Sequence, residues 1–407
     1  MLTSTHLLCG AGGDALGLRE AGFTPVYAAN HDKTCISTHS LNFDCPHDVA
    51  DVSQLQMTGL PGSDFLWASV ICTEVSPAGR RKTSLEPLAY DEQGRPVGAA
   101  RFARTRATAF DVLRATEVHR YKVVCIENVV EFTRWELFSW WLEALRLLGY
   151  RVEIVSASAA HIGDERNDPA PQLRDRIYIV CTRLDLPEPD LAPRPRAWCP
   201  ACRRHVRGVQ TWSAAASRRK IRAGRYGKSY HYRCPTASCA AAVEPMVRPA
   251  VDALDLSDLG RPLAARATAP RASTLSRLED AIRYLSTDDT RRHPAGIPSR
   301  PTERRIAILE YRRHCSAASG LEPLSTVSAQ GNHHAVVAAP PGYSPGDRLT
   351  IHDLTYRVIK PSEQAAAQRF PKTYKIIGTG AEQTLQAGNA VAVNVARWIG
   401  EQVRQVV

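Results

Sequence analysis

The sequence predicts an α/β protein: a doubly wound sheet covered by helices on both faces, together with a second, smaller domain. The first 185 residues alternate short β-like runs with amphipathic helical runs, and this order is typical of a parallel, doubly wound sheet. A proline-rich, basic segment then interrupts the order, so residues 186–349 are predicted to form a separate module. The length of 407 residues also favours two domains, because single cores stop growing at roughly 250 to 300 residues.

The elements of the first domain follow from local residue patterns. A strand is predicted at Leu7 to Cys9, and the glycine-rich turn after it leads into a helix that Gly22 can close. Near the end of the chain, a turn followed by an amphipathic helix from Ala390 to Val403 is predicted to pack back on this domain, so residues 350–407 complete it. Further strands are predicted at residues 25–30, 64–70, 121–128, 150–158 and 176–182, and a helical pattern occupies residues 133–149.

Charge and cysteine usage indicate the kind of partner and the compartment. The net charge is +11, and the window from Leu191 to Ala240 holds 12 Arg and Lys residues with no Asp or Glu, which favours a phosphate-bearing partner. The eleven cysteines are mostly single residues within strand-like runs, as expected of free thiols in a reducing compartment. No stretch approaches the roughly 18 apolar residues of a membrane span, and the first residues carry no basic leader. We therefore expect a cytoplasmic protein that does not bind membranes.

Polar and glycine residues gather where the predicted strands end, which is where doubly wound sheets bind ligands. The turn from Gly10 to Gly13, the segment from Asn30 to Asp32, and Asp48 with Val49 follow three such strands. No lysine follows the glycines as it does in a phosphate-binding loop, so the set is more typical of a pocket for an adenosyl group. A glycine-rich turn on its own also occurs for packing reasons.

Two further strand ends carry residues suited to catalysis. Cys72 follows a strand and precedes the consecutive cations at residues 80–82, and nearby cations lower the pKa of a thiol and make it a better nucleophile. A buried, inert thiol is the alternative, and a metal role has no ligand partners at close spacing. Glu127 also follows a strand, where half-buried carboxyl groups have raised pKa values and can donate protons. Its alternative interpretation is an acid in a surface loop.

Gln172, Arg174 and Arg176 alternate at the entry of the last predicted strand of the first domain. Residues spaced by two face the same side of a strand, so their polar groups are expected to converge. Such a set can clamp an anion. The alternative is a solvated strand edge.

The middle module carries two cysteine pairs, Cys199 with Cys202 and Cys234 with Cys239, separated by 31 residues. Two such pairs can give four sulfurs to one tetrahedral Zn²⁺, and a disulfide is less expected in a reducing compartment. His205 could replace one sulfur. Between the pairs, arginines are interleaved with aromatic residues, which predicts a surface that grips phosphate and stacks on bases, or else a solvated face of a structural ribbon. These aromatic residues are Trp212, Tyr226, Tyr230 and Tyr232.

The order of these segments resembles one family. A glycine-rich loop, a strand-end cysteine, Glu-Asn-Val, Gln-x-Arg-x-Arg and a late Gly-Asn-Ala-Val resemble the cytosine-5 DNA methyltransferases over residues 5–182 and 350–400. The resemblance implies a Rossmann-like S-adenosylmethionine-dependent methyltransferase fold with a mixed sheet. It also implies that the zinc-containing middle module recognises double-stranded DNA, that the protein acts as a monomer, and that a restriction endonuclease is a candidate partner.

The resemblance further implies a mechanism. A Cys72 thiolate would add to C6 of a flipped cytosine, and Glu127 would hydrogen-bond and protonate N3 while C5 takes the methyl group of S-adenosylmethionine. Arg174 would hold the base and the adjoining phosphate, with Arg176 and Gln172 supporting the loop. The cofactor residues implied by the same resemblance are Leu8, Gly10, Gly12, Gly13, Asn30, His31, Asp48, Val49, Asn389 and Val391.

Some residues depart from the family pattern and keep alternatives open. Ile71 and Thr73 flank Cys72 where the family has proline and glutamine, and Asn30 stands where the family has the acid that grips the ribose. A catalytically silent DNA-binding homologue is therefore one alternative. An RNA cytosine-5 methyltransferase with the same residues is another, and the transfer of a modified group from the adenosyl cofactor is a third, remote one.

Overall fold

The computed structural model describes residues 1–71, 89–90, 96–97, 99–265, 271–287, 304–311, 317–329 and 333–407. The predicted nucleophile Cys72 and the cations at residues 80–82 lie outside the described residues. Strands and helices are numbered along the chain. The strands are β1 (Leu2–Leu7), β2 (Phe23–Asn30), β3 (His47–Val49), β4 (Phe65–Ala68), β5 (Ala89–Tyr90), β6 (Pro96–Val97), β7 (Val123–Asn128), β8 (Tyr150–Ser158), β9 (Asp175–Arg183), β10 (Arg196–Cys199), β11 (Arg204–Arg207), β12 (Val209–Trp212), β13 (Tyr230–Arg233), β14 (Ala242–Pro245), β15 (Arg261–Pro262), β16 (Ile306–Glu310), β17 (Ala317–Ser319), β18 (His334–Ala338) and β19 (Thr355–Val358). The helices are α1 (Gly13–Glu20), α2 (Lys33–Ser40), α3 (Ala99–His119), α4 (Phe138–Leu147), α5 (Ala214–Ser217), α6 (Ala272–Ser286), α7 (Pro361–Ala367), α8 (Gly380–Asn389) and α9 (Val393–Val403).

The first domain is built on a seven-stranded sheet in the order β3-β2-β1-β4-β7-β9-β8. Neighbouring strands are parallel from β3 to β7, whereas β9 runs antiparallel to both β7 and β8. The predicted doubly wound sheet is confirmed, and it is mixed, as the family resemblance implied. The first strand ends at Leu7, earlier than predicted, because Leu8 adopts a left-handed φ of 58° that breaks the extended run.

Alternate residues of the central strands build cores on the two faces of this sheet, as expected of strands that helices cover on both sides. On one face, Leu66, Val124 and Ile179 pack with the aromatic side chains that precede and enter α4. On the other face, Trp67 and Tyr178 pack with residues of α1 and α9.

The C-terminal segment differs from its prediction in one respect and agrees in another. Residues of the predicted turn form α8, and α9 begins at Val393 rather than at Ala390. Helix α9 packs closely against α1: a Cβ placed on Gly17 would lie 2.5 Å from the Val393 carbonyl oxygen and 2.6 Å from the Ala396 Cβ. Residues of α9 thus pack in the core of the first domain.

The middle of the chain forms two antiparallel sheets. The first, in the order β11-β10-β14-β13-β12, carries the four predicted cysteine ligands and is called the ribbon below. The second has the order β15-β19-β18-β16-β17, with α6 against one face. Because β19 belongs to this second sheet, the middle module extends beyond the predicted boundary at residue 349. Within the described part of the chain, no helix is both long enough and apolar enough to cross a membrane.

Replacing Gly17 with alanine tests the contact between α1 and α9. Alanine favours a helix by about 1 kcal/mol relative to glycine, but the added methyl group overlaps the backbone of α9, so we expect a net loss of roughly 1 to 3 kcal/mol in the free energy of unfolding. Denaturant titration measures this loss. The control is Gly380→Ala in the first turn of α8, where an added Cβ meets nothing within 4 Å. A Gly17→Ala variant as stable as this control would contradict the close packing.

Candidate active site and metal centre

In the described part of the chain, the residues that precede Cys72 lie beside the end of β7. Strands β4 and β7 are adjacent and parallel, so their carboxyl ends lie at the same edge of the sheet. The Asn128 side-chain amide donates a hydrogen bond to the Val70 carbonyl oxygen at 3.0 Å, and the Ile71 amide donates to the Thr108 hydroxyl at 3.3 Å. These contacts hold the chain next to Glu127 up to the residue that precedes Cys72.

Glu127 is only 7% exposed and forms an ion pair with Arg176, whose Nε lies 3.0 Å from the carboxylate Oε1. Burial raises the pKa of Glu127, and the positive charges of Arg176 and Arg174 oppose this shift without cancelling it. A buried carboxyl group with a raised pKa, held by an arginine, is suited to donating a proton. Both residues were predicted as site residues, and the structure brings them together.

Arg174 binds backbone carbonyl groups from two other parts of the chain. Its guanidinium is buried and donates hydrogen bonds at 3.0 Å to the carbonyl oxygens of Val327, Gly388 and Ala390. These bonds join the middle module to the segment between α8 and α9. Arg176, which was expected only to support the loop, is the arginine that contacts Glu127.

Gln172 bonds to two distant parts of the chain. Its side-chain amide donates to the Ala367 carbonyl oxygen at 3.1 Å, and its side-chain oxygen accepts from the Val327 amide at 2.6 Å. The entry of β9 is thus fixed on one side to the middle module and on the other to α7.

The glycine-rich loop after β1 has the geometry of a ligand cradle. Gly10 and Gly12 have left-handed φ angles of 52° and 80°. A Cβ on Gly12 would lie 2.7 Å from the Tyr374 hydroxyl, and one on Gly13 would lie 2.1 Å from the Val391 carbonyl oxygen. At Gly10 an added Cβ meets nothing within 4 Å, so open space adjoins the loop there. The Gly-Asn-Ala-Val segment, residues 388–391, packs against the loop. Leu8 is buried beside the loop.

The other predicted cofactor residues lie along the same sheet edge. In the register of the sheet, Asn30 faces Val49, and Val49 and His31 are exposed. The Asp48 carboxylate is exposed and accepts a hydrogen bond from the Tyr27 hydroxyl at 2.6 Å. The Asn30 side-chain oxygen accepts from the Asp32 amide at 2.9 Å. Asn389 is exposed at the end of α8, whereas Val391 is buried.

The four predicted metal ligands converge. The sulfur atoms of Cys199, Cys202, Cys234 and Cys239 all lie within 4.8 Å of one another. The closest approaches are 3.6 Å between Cys199 and Cys239 and 3.9 Å between Cys202 and Cys234. Hydrogen bonds from Thr236 lower the pKa of the Cys234 thiol to about 7, which favours the thiolate form that binds metals. His205 packs instead against the Trp198 ring, at a centroid distance of 5.1 Å.

A short loop of the ribbon contacts the active-site edge. The Gly224 amide donates to the Ser156 hydroxyl at 3.1 Å, at the end of β8. The Arg225 guanidinium donates to the Glu131 carboxylate at 2.6 Å, just after β7. The Tyr226 amide donates to the Asp175 carboxylate at 3.2 Å, at the start of β9. We call residues 224–226 the contact loop, since they bridge three strand ends around Glu127 and Arg176.

Burial in this contact raises the pKa of Asp175 to about 6, although the Tyr226 amide and the cations Arg225 and Arg176 favour the charged form. The sequence pattern did not predict Asp175 or its partners. The signal available in the sequence was the position of Asp175 between Arg174 and Arg176. The contact between the ribbon and Asp175 is a tertiary contact, which no local sequence pattern specifies.

Burial excludes two of the four predicted aromatic residues, Tyr230 and Tyr232, from a base-stacking surface, whereas Trp212 and Tyr226 are partly exposed. Tyr230 and Tyr232 are 1% and 0% exposed and form the ribbon core. Tyr226 packs across the His161 ring of the first domain at 4.4 Å. The exposed surface of the ribbon is instead basic, and the cations that precede and adjoin the contact loop are Arg218, Arg219, Lys220, Arg222 and Lys228.

The mixed sheet, the glycine loop after β1 and the buried acid–arginine pair define a cofactor-binding α/β domain of the methyltransferase type. The chain belongs to the C-5 cytosine-specific DNA methylase family, whose model matches residues 2–197 and 271–405. Most of the ribbon lies between these two matched ranges.

Two type II methyltransferases that are similar to this chain agree with this family assignment. The type II methyltransferase M.HhaI of Haemophilus parahaemolyticus is 28% identical over 181 residues, which are 44% of this chain and 49% of the relative. The type II methyltransferase M.HgiCI of Herpetosiphon aurantiacus is 30% identical over 201 residues, which are 47% of this chain and 41% of the relative. The chain thus spans about half the length, or less, of these relatives.

Solved structures share the fold across the whole chain. A putative DNA modification methyltransferase encoded within an Escherichia coli prophage has a TM-score of 0.51 and 16% identity, covering 100% of this chain and 99% of its own. The Entamoeba histolytica methyltransferase EhMeth has a TM-score of 0.53 and 12% identity, covering 100% and 98%. At these identities the likeness supports the fold alone.

The substitution Asp175→Asn tests the contact between the ribbon and the active-site edge. The carboxyl has a raised pKa in the folded state, so its stabilising contribution is present below about pH 4 and is lost as pH rises through about 6. Asparagine can still accept the hydrogen bond from Tyr226 and carries no charge. Above pH 7 we therefore expect the variant to be more stable than the unaltered protein by about 1 kcal/mol, after discounting for partial exposure.

Denaturant titrations between pH 4 and pH 8 measure this difference. Asp185→Asn is the control, because Arg183 lowers the pKa of Asp185 and the expected pH dependence has the opposite sign. Parallel stability curves for the unaltered protein and the Asp175→Asn variant would show that Asp175 is not buried by the ribbon.

Proposed function

We propose that this protein is a DNA cytosine-5 methyltransferase that uses S-adenosylmethionine and forms a covalent bond between Cys72 and C6 of a flipped cytosine. The observation that carries the proposal is the buried pair of Glu127 and Arg176, placed beside the chain that leads to Cys72 in a member of this family. The type II designation of two relatives supports a setting in restriction and modification, with an endonuclease as the candidate partner.

Cytosine C5 is a weak nucleophile, and addition of the Cys72 thiolate to C6 would make it reactive. S-adenosylmethionine would supply the methyl group. The open space beside Gly10 fits such a ligand, with the exposed Asp48 and Val49 on a nearby strand. A base would then take the C5 proton, the electrons of the C5–H bond would form the C5–C6 double bond, and the C6–sulfur bond would break to release the Cys72 thiolate. Glu127 would take back the N3 proton, which leaves neutral 5-methylcytosine.

Glu127 would protonate N3 as negative charge develops on the ring. Its raised pKa keeps a population of the protonated form available, and Arg176 orients the carboxyl through Oε1. We assign to Arg176, rather than to Arg174, the contact with the base and the adjoining phosphate, because the Arg174 guanidinium is already bound to three carbonyl oxygens.

The basic segment that precedes the contact loop would bind the DNA backbone. Arg218, Arg219, Lys220 and Arg222 are exposed and lie just before Gly224, which is fixed at the active-site edge. Extruding a base costs a few kcal/mol of stacking, and phosphate contacts close to the flipped nucleotide would compensate for that cost.

Zn²⁺ fits the four converging cysteines of the ribbon. Four sulfur donors from two pairs are the preferred ligand set of a closed structural zinc site, and the metal would contribute folding free energy to the ribbon. Cys199, Cys202, Cys234 and Cys239 would hold it. Because the same ribbon carries the contact loop, the metal would also support the position of Asp175 and Glu131.

Substitution of the two proposed catalytic residues tests the reaction. We expect Cys72→Ser to abolish methyl transfer while DNA binding remains, and Glu127→Gln to lower kcat by about 100- to 10,000-fold because the amide cannot give a proton. Transfer of labelled methyl groups to duplex DNA measures both effects. Glu143→Gln, which alters a carboxylate that is 58% exposed on α4, is the control and should retain full activity.

Trapping on DNA that contains 5-fluorocytosine separates this proposal from a catalytically silent homologue. The fluorine cannot leave as the proton does, so the covalent bond to Cys72 should persist and be visible in a denaturing gel. Intact DNA binding without a trapped complex would favour the silent homologue, and labelling of RNA but not of DNA would overturn the substrate.

Elemental analysis tests the zinc site. We expect Cys199→Ser to lower the zinc content by about one equivalent per chain and to destabilise the ribbon. His205→Ala should keep its zinc, because the imidazole packs on Trp198 rather than joining the sulfurs. Equal zinc content in the Cys199→Ser variant and the unaltered protein would reject the site.

A further inference from the structure

We propose that His39, Cys45 and His47 form a second metal site, separate from the ribbon, that binds a zinc-type cation. The three potential ligand atoms lie within 4.8 Å of one another. This site is not part of the proposed reaction, and its existence does not depend on that reaction.

Two elements bring the three side chains together. Cys45 lies in the bend that leads into β3, and His47 is the first residue of that strand. His39 comes from the last turn of α2, opposite them. The His39 Nδ1 lies 2.8 Å from the His47 Nε2, and the Cys45 sulfur lies 3.8 Å from the same nitrogen.

The donor set matches the chemistry of zinc. Two imidazole nitrogens and one thiolate are ligands that Zn²⁺ prefers, and sites with three protein ligands leave the fourth position open to water or another small ligand. In a tetrahedral site the ligand atoms are separated by roughly 3.3 to 3.7 Å, given zinc–ligand distances of about 2.0 to 2.3 Å. Widening the contact between His39 and His47 by about half an ångström would therefore accommodate the ion.

The three residues differ in solvent exposure, and this difference would allow a metal ion to enter. His39 is fully buried, whereas Cys45 and His47 are partly exposed. A cation can thus reach the exposed pair first and complete its coordination on the buried imidazole. Without a metal, the same atoms would form only a hydrogen-bonded chain in which the His47 Nε2 serves both neighbours, and this is the alternative that the experiment must separate.

The site lies directly behind the glycine loop. A Cβ on Gly12 would approach the His39 ring to 2.8 Å, and the ring packs on Phe43 with centroids 4.4 Å apart. A bound ion would tie the end of α2 to the entry of β3 and fix the wall against which Gly12 packs. Its expected consequence is greater thermal stability of the first domain.

The test is the zinc content of purified full-length variants. We expect about two equivalents of zinc per chain in the unaltered protein and about one equivalent in both Cys45→Ala and His47→Gln. Cys35→Ala is the matched control, since Cys35 is a buried cysteine of α2 outside the cluster, and it should keep both ions. The partly exposed His47 can be replaced without opening a core cavity. The zinc content of the His47→Gln variant therefore remains informative even if Cys45→Ala folds poorly.

Cobalt substitution gives a second readout that does not depend on enzyme activity. In a background in which Cys199, Cys202, Cys234 and Cys239 are all replaced by serine, Co²⁺ should still produce a thiolate charge-transfer band, and adding Cys45→Ala should abolish it. Added Zn²⁺ should likewise raise the Tm of this background variant but not that of the variant that also carries Cys45→Ala.

Two outcomes would overturn the proposal. One is a single equivalent of zinc that Cys199→Ser removes and Cys45→Ala leaves unchanged, which would reject this site while retaining the ribbon site. The other is an equal loss of metal in Cys35→Ala and Cys45→Ala, which would show that the effect comes from damage to α2. Neither outcome bears on methyl transfer, so failure here is distinct from failure of the proposed function.

Discussion

The ion pair between Glu127 and Arg176 is the interaction on which the rest of the site depends. Two charges that are almost removed from water are costly to bury unless their geometry is fixed and their remaining polar atoms are bonded. The Arg176 Nη1 donates to the Asp175 carbonyl oxygen at 2.9 Å, so the guanidinium is held from its own strand as well as by Glu127. Because burial outweighs the opposing charge of Arg176, the pair still presents a carboxyl group with a raised pKa at the sheet edge, which the proposed mechanism requires.

The surroundings of this pair are assembled from distant parts of the chain. Arg174 binds carbonyl oxygens of the middle module and of the segment before α9, and Gln172 links the same module to α7. The entry of β9 therefore serves as the joint between both domains and the C-terminal segment. A buried arginine that joins three carbonyl groups cannot be exchanged for lysine without losing the planar arrangement of its donors.

Much of the fold was predictable, since the strands of the first domain follow directly from their β-rich runs. The antiparallel direction of β9 was not, because residue periodicity does not encode strand direction. In the ribbon, the alternation of Tyr230 and Tyr232 was the signal of a buried strand face, and it was interpreted as a binding surface instead. The roles of Arg174 and Arg176 depend on which partner each side chain contacts. The cluster of His39, Cys45 and His47 forms only when α2 packs beside β3. Neither follows from spacing alone.

The contact loop makes the ribbon a structural part of the site rather than a tethered accessory. Three consecutive residues bond to the ends of β7, β8 and β9, which are the strands that carry or flank Glu127 and Arg176. If a metal holds the ribbon, the free energy of metal binding is linked to the geometry of that edge, because metal affinity and folding are coupled. The basic segment enters the same loop, so a displacement by bound DNA would be transmitted to Asp175 and Glu131. In the proposed function, DNA binding and the positioning of Glu127 would then both depend on the contact loop.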